Sequence, residues 1–397
     1  MSLTIQAYPP AYSSFQSGLG YSVAEIAHTA DPVTYPNYKF VGDVYIGAVM
    51  VARLKAVPDP VTKIGIFNIG QIVRNYIAVT FNPTASSVIA QRLAAGEFFL
   101  TVTMKFGEEY AYTTYTNLVS DSVRVFFNNY NGRLIGPSTS LDGLADKPLS
   151  SRPYATAIRS DSAFNFIPFL ASDTDVFTVR FKSYDYSNAL VTSYNLAVTP
   201  TAANELIIIN ASRDGINAGS PGMINDGISY YTVQFDTPNI SDDVTLRFDL
   251  YCEPMYEIFT LHFLNKYGGF ESKDFNKVSR KTISIEKKDF GRLPYTVDAS
   301  GVISYRNANK VYNESRSVYS SQYKEKMILN SDMLTDTEYT WLEELVLSPM
   351  VYLEEQGYFF PVVISETNYE PKKNVNDDLT NLTINIEFGQ QDNAQFR

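Results

Sequence analysis

The chain has one cysteine, two histidines and one tryptophan in 397 residues. A lone Cys252 excludes an intramolecular disulfide and any cysteine-rich zinc module. The histidines, His28 and His262, are far apart, and no H-x-x-x-H or C-x-x-C spacing exists, so no metal site is expected. His262 alternates with Leu261 and Phe263 and reads as a strand-face residue. Basic residues are outnumbered, 32 against 43 acidic ones, for a formal charge of −11. Phosphate neutralisation needs a basic footprint, so this balance argues against a general nucleic-acid binder. Long apolar runs are missing too. Leu206 to Ile209 is far too short to cross a bilayer, and no membrane insertion is expected. The opening residues, MSLTIQAYPPAYSSF, carry no basic n-region; the first lysine is Lys39 and the first arginine Arg53. A secretory signal is therefore not expected, and the reading is of a soluble protein made in the cytoplasm.

Chemical signatures are equally scarce. No G-x-S-x-G elbow and no Walker sequence occurs, and Gly219-Ser220-Pro221-Gly222 has no lysine after it. Asp173-Thr174-Asp175 and Ser241-Asp242-Asp243 lack the glycine and terminal glutamate of an EF-hand loop, and read as polar turns. No catalytic residue and no cofactor is expected.

What the chain has in quantity is tyrosine (29) and phenylalanine (25), within a hydrophobic content of 45% and a charged content of 19%. That is a globular balance with strand-favouring aromatics, and it predicts a mainly β protein. Residues 1–36 are rich in Pro, Ser and Tyr without periodicity and read as an N-terminal arm. From Tyr38 the alternation is clear, and residues 37–130 read as a β-sandwich of immunoglobulin-like size, with a short helix opening near Asn68. Residues 131–160 carry Gly132, Gly136, Pro137, Gly143, Pro148 and Pro153 and read as a linker or long loop. Evenly spaced strands over 161–253 suggest a second sandwich. Residues 254–397 read as a third β region, a sandwich or split barrel with one flanking helix.

Two features of that third region stand out. Asn265 to Glu271, NKYGGFE, is a turn in which Gly268 and Gly269 can supply positive φ. Thr335 and Glu338 then form a capping box for a helix whose Trp341, Leu342, Leu345 and Val346 share one face, with Glu343 and Glu344 facing away. Pro349 ends this helix, and two strands turning at Gly357 follow. A local charge excess sits between them: Lys273, Lys277, Arg280, Lys281, Lys287, Lys288 and Arg292 outnumber Asp274, Glu286 and Asp289. It reads either as a solvated edge or as a basic hairpin facing an acidic partner, a neighbouring subunit or DNA.

Three blocks together carry a resemblance. YKFVGDVYIGAVMVARLKAVPDPVTKIGIFNIGQIVRNYI (38–77), FLNKYGGFE (263–271) and WLEELVLSPMVYLEEQGYFFPVVISETNYE (341–370) resemble structural tail proteins of tailed phages that infect Bacteroidetes-type bacteria. The resemblance implies a virion component at the tail tip, baseplate or neck. It implies a tail-tube-like third region, copies closing into a homo-oligomeric ring, most simply six-fold, and docking to other tail proteins. It also implies a passing contact with genomic DNA in the tube. The residues placed in this structural and interface role are Asn265, Gly268, Gly269, Lys287, Lys288, Trp341, Glu343, Glu344 and Pro349. A receptor- or carbohydrate-binding tail adhesin is the alternative, since tyrosine also suits sugar platforms. Purified protein is expected to release neither sugars nor peptides from host envelope. Release abolished by a single carboxylate substitution would contradict that expectation.

Overall fold

The computed structural model describes residues 3–10, 12–14, 19–25, 35–93, 98–111, 113–127, 145–203, 205–238, 244–251, 256–365, 380–389 and 392–393. His28, Cys252, Asp242 and Asp243, and residues 131–144 of the expected 131–160 linker, lie outside the described residues. The protein is mainly β, with three short helices among the described residues: α1 (Gly70–Arg74), α2 (Arg213–Gly219) and α3 (Asp336–Leu347). It divides into two compact units. Unit 1 comprises Met1–Glu253, His262–Asp274 and Asp336–Pro349; unit 2 comprises Pro254–Leu261, Phe275–Thr335 and Met350–Arg397. The expected third region is thus shared between the two units.

Unit 1 holds two sandwiches. In the first, a five-stranded sheet runs Tyr12–Ser14, Thr113–Phe126, Phe99–Tyr110, Lys39–Ile46, Val49–Ala56. A three-stranded sheet of Leu3–Ala7, Gly20–Glu25 and Gly65–Asn68 accompanies it. Between them lies a core that includes Tyr21, Phe40, Phe67, Val102, Met104 and Phe106. The opening residues, which read as an irregular arm, therefore include two core strands: Leu3, Leu19, Tyr21 and Val23 are all buried. The alternation of Tyr21 and Val23 is what fills the core. Asn68 accepts from the Gly70 amide at 3.0 Å at the start of α1, and Ile69 and Val73 are buried.

The second sandwich follows the period-2 rule closely. Along Phe177–Asp185, Phe177, Val179 and Phe181 point inward while Arg180 and Lys182 point outward. This strand pairs antiparallel with Leu190–Val198 on one side and Ile228–Asp236 on the other. The opposing sheet is ordered Phe166–Ala171, Glu205–Asn210, Ala90–Leu93. Ala90–Leu93 comes from the sequence assigned to the first sandwich, so the chain visits the second sandwich before returning at Phe99.

Phe166–Ala171 is buried along its whole length, which requires cover on both faces. Ile167, Phe169 and Ala171 enter the sandwich core. On the other face, Phe166 packs against Phe81 and His262, with ring centroids 5.9 and 5.2 Å away. His262–Asp274 thus serves as a lid on the second sandwich. Residues 148–158 are built in as well: Leu149 and Arg152 are buried, and Ala155–Ile158 pairs parallel with Val244–Leu250. This half of the expected linker is a structural element.

Unit 2 is organised around Arg316–Leu334, which pairs antiparallel with Thr380–Phe388 on one side and Arg280–Gly291 on the other. Val351–Glu355 and Tyr358–Ile364 form the expected hairpin, and its two turn residues, Gln356 and Gly357, have φ of 53° and 77°. Two consecutive positive φ values are the signature of a type I′ turn, which matches strand twist. The order of this sheet is open, with Arg280–Gly291 at its end.

Candidate assembly surface

The predicted site residues fall into two groups. Asn265, Gly268, Gly269, Trp341, Glu343, Glu344 and Pro349 belong to unit 1; Lys287 and Lys288 belong to unit 2.

Within unit 1 the turn and the helix build one buried polar network. Asn265 is fully buried; its Nδ2 donates to the Leu149 carbonyl at 2.6 Å, and its Oδ1 accepts from the amides of Tyr267 and Gly269, each at 3.0 Å. Gly268 has a φ of 94°, as the turn reading requires. Gly269 answers a different need: a Cβ there would stand 2.2 Å from Pro168 Cγ, so glycine permits close approach of the lid to the strand beneath. Glu344 does not face away. Its carboxylate accepts from the Lys266 amide at 3.0 Å and from Ser151 at 2.5 Å, and pairs with Lys266 Nζ at 2.9 Å. Glu343 is exposed, and so is Pro349, one residue after Ser348, whose hydroxyl accepts from the Leu264 amide at 3.1 Å.

Trp341 is buried beside Phe263, and its Nε1 donates to Glu271 at 2.9 Å. Glu271 also accepts from Ser150 and lies 4.0 Å from Arg152 Nε. Arg152 in turn donates to Asn165 at 3.0 Å and to the Ser272 carbonyl at 2.8 Å. Burial pushes the Glu271 carboxyl above the ordinary range, against the opposing pull of Arg152, and pushes the Arg152 guanidinium down. Lys273 belongs here and not to the exposed basic hairpin. It is buried, its ammonium is pushed down by desolvation, and it pairs with Glu338 at 3.3 Å. His262 is fully buried, its Nδ1 2.8 Å from the Ser272 hydroxyl.

This network could pass for a catalytic centre, since it gathers carboxylates, cations and a histidine. Its geometry argues otherwise. The cavity beside Arg152, Asn165, Lys273 and Trp341 measures about 10 Å³, room for one water at most. Among the described residues, no group of three or more His, Cys, Asp or Glu side chains is placed to hold a metal. What the network can do is hold segments together.

The other group lies on an arm of unit 2. Arg280–Gly291 and Arg316–Leu334 run antiparallel from Arg280↔Ile328 to Gly291↔Arg316, with a bulge between Lys288 and Asp289. Beyond them Thr296–Val297 pairs with Ile303–Ser304, and Arg306 bridges to Tyr312. The turns are well formed: Asp298 accepts from the amides of Ser300 and Val302, and Asn307 from those of Asn309 and Val311. Cross-strand ion pairs join Lys281 to Glu325 at 2.7 Å and Asp289 to Arg316.

Yet no side chain from Asn276 to Lys326 is buried. Twelve of the 33 large apolar side chains exposed among the described residues fall between Ile283 and Tyr319. They include Ile285 at 60% and Tyr312 at 70% exposure. Ordering each residue costs about 1–2 kcal/mol of backbone entropy, and apolar burial normally offsets it. This concentration of exposed apolar side chains makes the arm the candidate interaction surface. The sequence signal that could have found it was on the page: alternating Ile, Val, Tyr and Phe with no partner segment nearby. Reading it needed the knowledge that, among the described residues, these side chains stay exposed.

No protein-family model matches the chain, and no curated protein matches it. Among solved structures it is similar to extracellular domains 3–5 of Drosophila OTK, at 11% identity and a TM-score of 0.21, over 82% of this chain and 92% of that one. It is similar to a titin fragment, Titin-A168169, at 10% identity and a TM-score of 0.21, over 63% and 100%. The full extracellular region of plexin A4 aligns at 8% identity and a TM-score of 0.19, over 98% of this chain and 36% of that one. Overlaps this loose transfer no residue role and no activity.

Substituting Trp341→Ala is expected to cost roughly 3–5 kcal/mol, from the cavity and from the donor that Glu271 loses. Glu338→Ala should cost on the order of 3–5 kcal/mol by leaving Lys273 buried without its carboxylate. Denaturant unfolding measures both. Variants that unfold at the wild-type midpoint would show the network to be solvated.

Proposed function

We propose that the chain is a structural component of a phage tail, built from repeated copies that form a ring and dock neighbouring tail proteins. The observation that carries this reading is the arm of residues 276–326, ordered by turns and strand pairing without one buried side chain. A protein that acts alone has no use for such an arm. A subunit of an assembly does, because the neighbour supplies the missing core. The three sequence blocks that resemble phage tail proteins lend the reading its particular assembly. The buried network of unit 1 fixes segments within that unit, and we assign it no chemistry.

In the ring reading, Lys287 and Lys288 remain the basic element of each junction. Glu344, one of the expected interface residues, is no counterpart for them, since Lys266 and Ser151 already occupy it. Particles purified from a culture that makes this protein should contain it in stoichiometric amount by mass spectrometry. Gold-labelled antibody against it should decorate their tails. Recovery of the protein only from the soluble cell fraction, with none in the particles, would overturn the reading.

A further inference from the structure

We propose that the edge strand Arg280–Gly291 is completed by a strand from a second copy of this chain, in a head-to-tail contact that continues the sheet of unit 2 from one copy to the next. The inference rests on the assembly reading above and names the partner of that surface.

The strand ends the sheet order, and Arg316–Leu334 is its only partner among the described residues. Twelve residues long and exposed along nearly its whole length, it offers a row of backbone donors and acceptors to any chain that can align with it. Ile283 and Ile285 share one face with Lys281, opposite Glu325, Tyr323 and Met327. On that face, beside Lys281 and Met327, lies a groove of about 320 Å³ lined also by Tyr256, Phe259 and Val278. An incoming strand would bury the two isoleucines and set an apolar side chain into this groove.

Charge selects the partner. The arm, residues 276–326, carries 11 basic and five acidic side chains, whereas the rest of the chain carries 21 and 38. The arm is therefore net +6 and the remainder net −17, and the surface best suited to attract the arm is the body of another copy. The same charges bear on the symmetry. Two identical edges paired antiparallel about Ser284 would place Lys281 opposite Lys287 and Arg280 opposite Lys288. Like charges directly opposite are destabilising, which disfavours that self-paired register. The edge meets a different surface of the second copy, which is the heterologous contact from which rings and filaments are built.

The test uses the full chain. Light scattering over a concentration series should show assembly at low salt that weakens as salt rises. In the assembled state the amides of 280–291 should exchange with deuterium about tenfold more slowly than in the diluted monomer, since strand addition protects backbone groups. The double variant I283K/I285K should remain monomeric with an unchanged circular dichroism spectrum. K287E/K288E should assemble at least tenfold more weakly, which keeps the test decisive if the first variant fails to fold. A wild-type chain that stays monomeric, an assembly in which 280–291 exchanges as in the monomer, or variants that assemble like wild type would each overturn the inference. Protein present in tail particles with an unprotected edge would sink this inference alone. Absence from the particles would sink the functional reading instead.

Discussion

The ion pair between Lys273 and Glu338 is the constraint on which much of this chain depends. The chain leaves unit 1 after Asp274 and returns at Asp336, so the pair joins the strand residues just before the excursion to the first helical turn after it. Both groups are buried, where an unpaired charge is strongly destabilising and a matched pair is merely tolerable. The pair therefore does little for net stability but penalises every arrangement in which the two ends part. Glu271 repeats the logic one strand residue pair earlier, gathering Ser150 and Arg152 from one stretch of sequence and Trp341 from another. Lid, helix and second sandwich are fixed by these polar demands as much as by apolar packing.

The arm is ordered without a core of its own. Its strands are tied by an antiparallel ladder, and its loops are closed by Asx-type turns. None of these buries apolar surface. The folded chain is left with an energetic imbalance that a neighbour's surface can offset. The charge split between arm and body then gives that association direction and register more than strength.

The class of the fold was legible from alternation and turn chemistry. Tyr38 to Ile46, Phe177 to Tyr184 and the Gln356-Gly357 hairpin are found where period 2 and positive-φ residues place them. What alternation does not report is which segment covers a given face. Phe166–Ala171 is apolar on both faces because a lid from 262–274 covers the second one, and that lid is about a hundred residues away in sequence. Ala90–Leu93 joins the second sandwich for the same reason. Glu344 and Lys273 carried charge and so read as solvent-facing, but each had a buried partner waiting on a distant element. The opening residues were read as an arm because Pro and Ser obscured the alternation of Tyr21 and Val23. The candidate surface was visible only as a basic, apolar stretch whose lack of cover the sequence could not display.

The central claim is that the edge of unit 2 is completed by another copy. A density map of the assembled oligomer, at a resolution that separates strands, tests it most directly. The account predicts a strand of the neighbouring copy about 4.8 Å from Arg280–Gly291, the spacing of hydrogen-bonded strands. An edge that faces solvent or another protein in every copy would contradict it.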